Sequence, residues 1–228
     1  MRQHITAVAA AAALAISGIV GSAGSAHADV ACTITGFTPT TVVVGLSPVT
    51  RTFNVRTSGC AKAGWSLLLG NYDFFVYDSA PQETFMVPYS NADAGSYSAV
   101  AKAYNSDYFT TERSWASAFH LKRASSWGST FNAGPEPVTK GRAITIQGKL
   151  YLANWDTDRY GIHRYQYVKV QFRTPTGTYA TVKTIRTNSY GWAKTTVTAR
   201  RSGVWRLVYF GNSVSGPVNS KGDYVQVK

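Results

Sequence analysis

One segment in the second half of the sequence concentrates residue types that can recognise a ligand. Between positions 151 and 167, aromatic rings alternate with carboxylates, guanidinium groups and an imidazole. Flat aromatic rings stack on sugar rings, and charged groups beside them hydrogen-bond sugar hydroxyls. The pattern predicts a glycan-binding loop whose candidate ligand-binding residues are Trp155, Asp156, Asp158, Arg159, Tyr160, His163 and Arg164. The competing interpretation is a long hairpin loop whose aromatic side chains pack against the end of a β-sandwich.

The same segment is a poor candidate for a metal site. Asp156 and Asp158 lie two residues apart and could begin a calcium site, but Ca²⁺ takes six to eight oxygen ligands. Asp223 is the one obvious further carboxylate, and it is distant in the sequence. The spaced Asp, Gly and Glu of an EF-hand loop are missing, so we expect no metal ligands and no cofactor.

Residues for hydrolytic chemistry are sparse. Beyond the first 28 residues, the chain has two histidines, His120 and His163, and neither belongs to a nucleophile elbow, a zinc helix or a Cys/His signature. His120 stands between Phe119 and Leu121, which favours a packed histidine over a general base. A pair of carboxylates could serve a glycosidase, yet only eleven acidic residues are present and many fall in turn sequences. We therefore expect a non-enzymatic protein with no catalytic residues.

Positive charge is concentrated in the second half of the chain. From position 124 to the end there are fifteen Lys and Arg residues against four Asp and Glu, whereas from 29 to 121 there are five against seven. Such a field attracts anionic partners, including wall teichoic acids, anionic polysaccharides and phospholipid surfaces. No nucleic-acid-binding motif accompanies the charge, which disfavours specific nucleic-acid recognition. The competing interpretation is that solvent-facing cations keep the sheets soluble: Lys149, Lys169, Arg173 and Lys183.

The first 28 residues have the pattern of a secretory signal peptide. Arg2 precedes an apolar, Ala-rich run from 7 to 20, and small residues lead to a cleavage site near Ala28. The run is short for a membrane-spanning helix, and no later segment approaches the roughly 20 apolar residues that spanning requires. Cys32 lies near the cut, but Asp29 and the residues after it are a poor context for lipid attachment. We expect a secreted, extracellular chain without a transmembrane segment.

The chain contains two cysteines, Cys32 and Cys60. An exported protein meets oxidising conditions, under which two cysteines pair by default. Neither is part of a recognisable Cys/His arrangement, so a catalytic thiol is disfavoured. We predict a structural disulfide that ties the first strand to the end of the second.

Alternating hydrophobicity predicts that β-strands must position these residues. From 143 to 152, apolar and polar side chains alternate with the period of two that is typical of a half-buried strand. Turn signals separate similar runs at the spacing of a β-sandwich, which leaves room for about seven strands between 125 and 228. The stretch from 111 to 120 is interpreted as a further strand. The predicted inward-facing residues are Phe53, Val55, Trp65, Leu67, Leu69, Tyr97, Ala99, Ala101, Val168, Val170, Phe172, Trp205, Leu207, Tyr209, Val225 and Val227.

A short motif resembles one strand of the immunoglobulin fold. Asp93, Gly95 and Tyr97 match the D-x-G-x-Y sequence in which the tyrosine bonds back to upstream backbone as a tyrosine corner. Position 99, where immunoglobulin domains have a cysteine, is Ala, so the usual inter-sheet disulfide is missing. The run from 202 to 205 looks like a degenerate version. The resemblance implies an all-β chain of two immunoglobulin-like β-sandwich domains in tandem, 29–122 and 123–228, after the signal peptide 1–28.

The second half has a further likeness. Its sequences PEPV from 135, WD from 155, QFR from 171 and GDYV from 222 resemble a module of secreted actinobacterial, Streptomyces-like proteins that are mostly uncharacterised. That resemblance implies no particular activity.

These observations favour a secreted, non-enzymatic interaction protein. The leading hypothesis is that the basic second half contacts the cell envelope, specifically the cell wall, or another anionic extracellular surface. One alternative is a carbohydrate-binding module that uses the aromatic loop 151–167. Another is an extracellular inhibitor or toxin that acts on a partner protein.

Overall fold

The computed structural model of the chain describes residues 32–60, 64–70, 72–76, 82–104 and 110–228. The expected signal peptide and its cleavage site near Ala28 lie outside these residues. The described part is all β apart from one short 3₁₀ turn at Asn91–Asp93. Among the residues described, no helix has the length and apolar character needed to span a bilayer.

The described residues of the first half contain nine strands. They are β1 (Thr33–Thr38), β2 (Thr41–Val44), β3 (Val49–Thr52), β4 (Asn54–Ser58), β5 (Gly64–Leu69), β6 (Tyr72–Val76), β7 (Gln82–Phe85), β8 (Gly95–Tyr104) and β9 (Thr110–Arg123). One sheet has the order β2-β9-β8-β5-β6, in which β2 runs parallel to β9 and the other pairs are antiparallel. The pairs β1–β4 and β3–β7 complete this half. The predicted strand from 111 to 120 is confirmed as part of β9.

Aromatic side chains dominate the core of this half. Phe119 on β9 is fully buried, with its ring centroid 6.3 Å from that of Phe53 and 5.9 Å from that of Phe85. Pairs at such distances add to the stabilisation from apolar burial. The inward-facing residues predicted for β5 and β8 are confirmed for Trp65, Leu67, Leu69, Ala99 and Ala101, which are all buried, whereas Tyr97 is only partly buried against the core.

The tyrosine corner predicted from the D-x-G-x-Y motif is present. The Tyr97 hydroxyl donates to the backbone carbonyl of Asp93 at 2.6 Å, across the turn that starts β8. Together with the sheet pairing, this bond confirms the immunoglobulin-like β-sandwich class. The run from 202 to 205, which looks like a degenerate version of the motif, shares with it only a packed aromatic residue, because Trp205 is buried.

Eleven short strands, rather than about seven, build the second half. They are β10 (Ser125–Ser126), β11 (Asn132–Gly134), β12 (Ala143–Lys149), β13 (Tyr151–Asn154), β14 (Arg159–Ile162), β15 (Tyr167–Arg173), β16 (Ala180–Arg186), β17 (Trp192–Thr198), β18 (Gly203–Tyr209), β19 (Val218–Asn219) and β20 (Asp223–Val225). They form sheets β10-β13-β14, β11-β12-β17 and β16-β15-β18-β19, with β20 also paired to β18.

The single strand predicted from 143 to 152 is divided in two. Strand β12 pairs with β11 and β17, whereas β13 pairs with β10 and β14. Between them, the Leu150 N–H donates to Gly191 O, and its carbonyl accepts from the N–H of His163, both at 2.9 Å. The alternation of side chains continues through Leu150 although the pairing partner changes, so periodicity alone does not reveal the break.

The second half has its own core, which includes Ile146, Leu150, Val170 and Leu207. Trp205 packs on Phe172 with a ring-centroid distance of 4.7 Å. The inward-facing positions predicted on β15 and β18 are confirmed, except that Phe172 is only partly buried. The division into domains 29–122 and 123–228 stays a proposal, because residues of β13 and the turn after it join the core of the first half.

The predicted disulfide joins Cys32 and Cys60. Cys32 precedes β1 and Cys60 follows β4, and these two strands pair directly. The bond therefore links the first strand to the fourth, because two further strands, β2 and β3, lie between them in the sequence. A disulfide is compatible with an extracellular protein.

Candidate functional site

The aromatic segment forms a β-hairpin that lies against the core of the first half. Trp155, in the turn between β13 and β14, is only 5% exposed and belongs to that core. Its indole Nε1–H donates to the carbonyl of Gly45 at 3.0 Å. Both ring faces are therefore covered by protein, and Trp155 offers no surface on which a sugar could stack.

Asn91 connects the 3₁₀ turn of the first half to this hairpin. Its side-chain oxygen accepts from the backbone N–H of Trp155 at 2.9 Å, and its amide nitrogen donates to Asn154 at 2.7 Å. The side-chain amide also hydrogen-bonds Asp156, whose carboxylate accepts the Asn91 backbone N–H at 3.0 Å. That backbone hydrogen bond, with side-chain bonds from Ser90 and Asn91, holds the pKa of Asp156 below its ordinary value.

The chain segment at the end of β9 forms backbone hydrogen bonds with residues from both halves of the sequence. The N–H of Arg123 donates to Val214 O at 3.0 Å, and its carbonyl accepts from the N–H of Gly216 at 2.8 Å. The next residue, Ala124, donates to Val44 O at 2.8 Å. Gly216 approaches so closely that a Cβ there would lie 2.5 Å from the Val43 side chain. We call this set of contacts, with those of Asn91 and Trp155, the junction.

His163, the residue directly after β14, belongs to a polar network. Its Nε2 is 3.2 Å from the hydroxyl of Tyr209, and that hydroxyl is 2.6 Å from the hydroxyl of Ser215. Burial, with a smaller contribution from the positive charge of Arg123, lowers the pKa of His163 to about 4. The ring is therefore neutral at neutral pH and is engaged with its neighbours.

The remaining candidates on the hairpin are exposed. Asp158 occupies the turn with φ of 50°, and Arg159 and Arg164 face solvent. Tyr160 is 42% exposed and leans toward Gly45, and partial burial raises the pKa of its hydroxyl. The seven candidates are thus divided among three places. Trp155 and Asp156 belong to the junction, His163 belongs to its own polar network, and the other four are exposed to solvent: Asp158, Arg159, Tyr160 and Arg164. The structure does not bring them together around one ligand position.

A different cluster of charge lies on the outer face of the sheet β16-β15-β18. On β15, Val168 and Val170 face the core, so the alternate residues Tyr167, Lys169, Gln171 and Arg173 face outward. Cross-strand pairing places Arg186 opposite Tyr167 and Arg206 opposite Gln171, and directly opposed residues share a face. We call this surface the basic face: Lys169, Arg173, Arg186 and Arg206, with the rings of Tyr165, Tyr167, Tyr179 and Phe210.

Each cation of the basic face lies over an aromatic ring. The guanidinium of Arg206 is 3.7 Å from the Tyr179 ring centroid, and that of Arg173 is 5.3 Å from the same centroid. Arg186 contacts Tyr165 and Tyr167, and Lys169 lies 4.8 Å from the Phe210 centroid. Cation–π contact orders a charged group without neutralising it.

Neutral oxygen atoms supply the other contacts of the three arginines. Arg206 Nε donates to Gln171 Oε1 at 2.9 Å, Arg173 donates to Pro175 O at 2.7 Å, and Arg186 Nε donates to Tyr165 O at 2.8 Å. Strands β15, β16 and β18 contain no acidic residue. Asp223 on β20 pairs with buried Trp205 and accepts the N–H of Ala133 at 2.7 Å, so it points away from this face. The positive charge is thus fixed in position, and no carboxylate among the described residues forms an ion pair with it.

Ser96 and His120 form a serine–histidine pair on the sheet of the first half. Ser96 Oγ is 2.8 Å from His120 Nδ1, and the two residues are directly opposed on β8 and β9. Within the described ranges, no carboxylate hydrogen-bonds the other ring nitrogen of His120, so the third member of a catalytic triad is not in place. The register of the two strands accounts for the contact. Across the same ranges, no group of three His, Cys, Asp or Glu residues could hold a metal ion.

The sequence contained part of the signal for the basic face. The outward phase of β15, including Lys169 and Arg173, is visible in the alternation of residue types. Arg186 and Arg206 lie on strands far apart in the sequence, and only the pairing of β16 and β18 with β15 brings them beside Lys169. The amino-acid composition of the second half therefore shows this positive charge but not its position on the surface.

Comparisons with known proteins identify no family. No protein-family model matches the chain, and no curated protein matches it. Solved structures do match. The fibronectin(III)-like modules of CbhA from Clostridium thermocellum are 12% identical with a TM-score of 0.39, covering 86% of this chain and 93% of that one.

Two further structures illustrate the range of matches. Murine CEACAM1b is 12% identical with a TM-score of 0.34, covering 87% of this chain and 100% of that one. A superoxide reductase (neelaredoxin) from Ignicoccus hospitalis is 11% identical with a TM-score of 0.33, covering 47% of this chain and 82% of that one. The fold assignment rests on the chain's own strand pairing and on the Tyr97 corner.

Proposed function

We propose that the protein is an extracellular, non-enzymatic binding protein whose basic face contacts an anionic polymer of the cell envelope or of another extracellular surface. The observation that carries the proposal is a set of four ordered cations on one sheet face that contains no carboxylate. Lys169 and Arg173 are four residues apart on β15, which is about 13 Å at strand spacing. That spacing allows a linear polyanion to contact several cations at once.

The ordering of these side chains supports binding over a role in solubility alone. A solubilising lysine or arginine gains from remaining hydrated and mobile, and exposed ion pairs contribute little. Here the guanidinium groups of Arg173, Arg186 and Arg206 are held against rings and neutral oxygens. Preorganised donors lose less conformational entropy when an anion binds them, which supports recognition of an anionic group.

Salt dependence tests this proposal. Purified protein is titrated against long-chain inorganic polyphosphate, with neutral dextran as the uncharged comparison, between about 50 and 200 mM NaCl. We expect polyphosphate affinity to fall tenfold or more over this range, because each phosphate contact releases counterions. Affinity that does not change with salt, or equal binding to dextran, would exclude the polyanion assignment.

A matched pair of charge variants locates the surface. The triple variant Lys169→Gln, Arg186→Gln, Arg206→Gln removes three charges from the basic face. The control Lys140→Gln, Arg142→Gln, Lys194→Gln removes the same charge from exposed positions outside strands β15, β16 and β18. We expect the first variant to lose at least tenfold in polyphosphate affinity and the control to lose much less. Equal losses would mean that net charge, rather than this face, is responsible.

Binding of a neutral glycan is the second candidate function. It is supported by exposed tyrosines near the hairpin, of which Tyr167 and Tyr190 are each more than 65% exposed. Stacking on these rings predicts an affinity that survives high salt and is lost in Tyr167→Ala. A glycan array read at about 1 M NaCl, where charge attraction is screened, distinguishes this function from polyanion binding.

A further inference from the structure

The sandwich of the second half is open at one edge, away from the junction. A cavity of about 390 Å³ lies there, lined by Phe172, Val182, Val197, Thr198, Arg200, Arg201 and Trp205. Cavities that hold small organic ligands range from roughly 300 to 1,000 Å³. Its size therefore suits a single small molecule.

A β-bulge explains why the cavity is open. The pairing of β15 with β16 shifts register between Val170, which pairs with Lys183, and Gln171, which pairs with Thr181. Val182 is left without a partner on β15, and its side chain is 50% exposed at the cavity. Bulges redirect a side chain and interrupt an edge, and they are frequent beside functional sites.

The floor of the cavity is aromatic. Trp205 is almost fully buried and packs on Phe172, which is only partly buried and presents its remaining surface to the cavity. Val197 from β17 adds an aliphatic wall. These surfaces favour an apolar ring or a short alkyl chain, because burying apolar area on both partners is favourable.

The rim is positively charged. Arg200 and Arg201 are exposed in the turn after β17, and the Arg201 guanidinium is 5.6 Å from the Phe172 ring centroid. In the part of the chain that the structure describes, neither arginine forms an ion pair or a side-chain hydrogen bond, and no acidic residue lines the cavity. The donors of both guanidinium groups are free for an anion.

From this arrangement we infer that the cavity binds a small amphiphilic carboxylate, with its apolar body against Phe172 and Trp205 and its carboxylate on Arg200 and Arg201. A protein partner does not fit the geometry, since a stable interface needs about 800 Å² on each side and some 20 to 30 residues. This site lies apart from the basic face and is independent of the proposed polyanion function.

The test uses two ligands of this chemistry. Binding of 8-anilinonaphthalene-1-sulfonate, which joins aromatic rings to an anionic group, is followed by its fluorescence, and decanoate is then added as competitor. We expect saturable binding of the dye at one site and its displacement by decanoate. Non-saturable dye binding, or dye binding that decanoate does not reduce, would overturn the inference.

Four single variants identify the cavity. Val182→Trp should fill it and Arg201→Gln should remove an anion donor, each raising the dye dissociation constant about tenfold or more. The matched controls are Thr184→Trp, on the same strand opposite Lys169, and Lys194→Gln, an exposed charge on β17. We expect the controls to bind like wild type.

Two further measurements distinguish a loss of ligand binding at the cavity from a loss of folding and from a loss of polyphosphate binding. Arg201→Gln changes an exposed side chain and should leave the unfolding midpoint in urea close to that of the wild type, so that a loss of dye binding is read on a folded protein. Val182→Trp should keep wild-type, salt-dependent affinity for polyphosphate. Wild-type dye affinity in both Val182→Trp and Arg201→Gln, or equal losses in the two controls, would refute the assignment.

Discussion

At the scale of single residues, burial decides which of the chemically capable side chains can meet a ligand. Trp155 has the ring that suits a sugar, but the core of the first half covers it and Gly45 accepts its N–H. Arg206 is one of many basic residues in the sequence, and its type alone suggests a mobile surface side chain. In the structure its guanidinium stacks on the Tyr179 ring and is ordered. Residue type alone does not separate these two situations.

Trp155 provides the most direct stability test. Trp155→Ala should lower the free energy of unfolding by about 3 to 5 kcal/mol, because it leaves a cavity and an unsatisfied carbonyl in the junction. The control Tyr190→Ala, at an exposed ring, should change stability by less than about 0.5 kcal/mol. Urea denaturation measures both values. A small loss for Trp155→Ala would show that this ring contributes little to packing.

His163 predicts how stability depends on pH. Its folded-state pKa is about 4, below the ordinary value of 6.5, so the unfolded chain binds more protons between these values. The contribution of the neutral ring is therefore complete above pH 6.5 and is lost as the pH falls toward 4. Because the ring is partly exposed, we expect a loss of about 1 to 2 kcal/mol after solvent screening is considered.

The variant His163→Asn isolates this effect. Its unfolding free energy should change less between pH 7 and pH 4.5 than that of the wild type, as measured by urea denaturation at several pH values. Parallel curves for the two proteins would assign the acid sensitivity to other groups.

At the scale of secondary structure elements, local devices set where strands begin and which face they present. The Tyr97 hydroxyl fixes the turn that leads into β8, and β8 pairs with both β5 and β9. On β16, the bulge at Val182 opens the edge of a sheet whose other face carries the cations. Single residues thus control features that extend over whole strands.

The tyrosine corner can be tested without creating a cavity. Tyr97→Phe removes only the hydroxyl that bonds Asp93 O, so unfolding should become easier by about 1 kcal/mol, the usual net value of such a bond. Tyr190→Phe, which deletes an exposed hydroxyl, is the matched control and should be neutral. Thermal unfolding followed by circular dichroism compares them. Equal midpoints for the two variants would show that the corner is not stabilising.

At the scale of the whole molecule, the junction joins two hydrophobic cores. Asn91, Trp155, Ala124 and Gly216 form contacts that cross between the two halves of the sequence. The described residues accordingly belong to one compact unit. The basic face lies in the second half, so a stable junction would hold it in a fixed orientation to the first half.

Asn91 tests the coupling between the two cores. Asn91→Ala leaves the Trp155 N–H without its acceptor and removes the side-chain amide that bonds Asn154 and Asp156, although the backbone N–H of residue 91 still bonds Asp156. Stability should therefore fall by about 1 to 3 kcal/mol. We also expect the ratio of van't Hoff to calorimetric enthalpy to fall, because the two cores would then unfold less cooperatively. Asn132→Ala, at an exposed strand position, is the control. An unchanged ratio in Asn91→Ala would place the coupling elsewhere in the junction.

The sequence by itself determined the properties that depend on local pattern. Alternation marked the inward residues of β5, β8, β15 and β18, the D-x-G-x-Y motif marked the tyrosine corner, and two cysteines indicated one disulfide. The faces of a strand and the geometry of a tight turn are specified by residues that are close in sequence. The disulfide follows because the sequence has two cysteines and therefore allows one pairing.

Only the tertiary structure decided which strands pair and which side chains meet. Trp155 is buried in the core of the first half, although it belongs to the second half of the sequence. The strand predicted from 143 to 152 is divided between two sheets. Arg186 and Arg206 lie on the two strands that flank β15. Each of these outcomes depends on contacts between residues far apart in the chain. Alternation of apolar and polar residues indicates that a strand has two different faces, but it carries no information about which neighbour each face will contact.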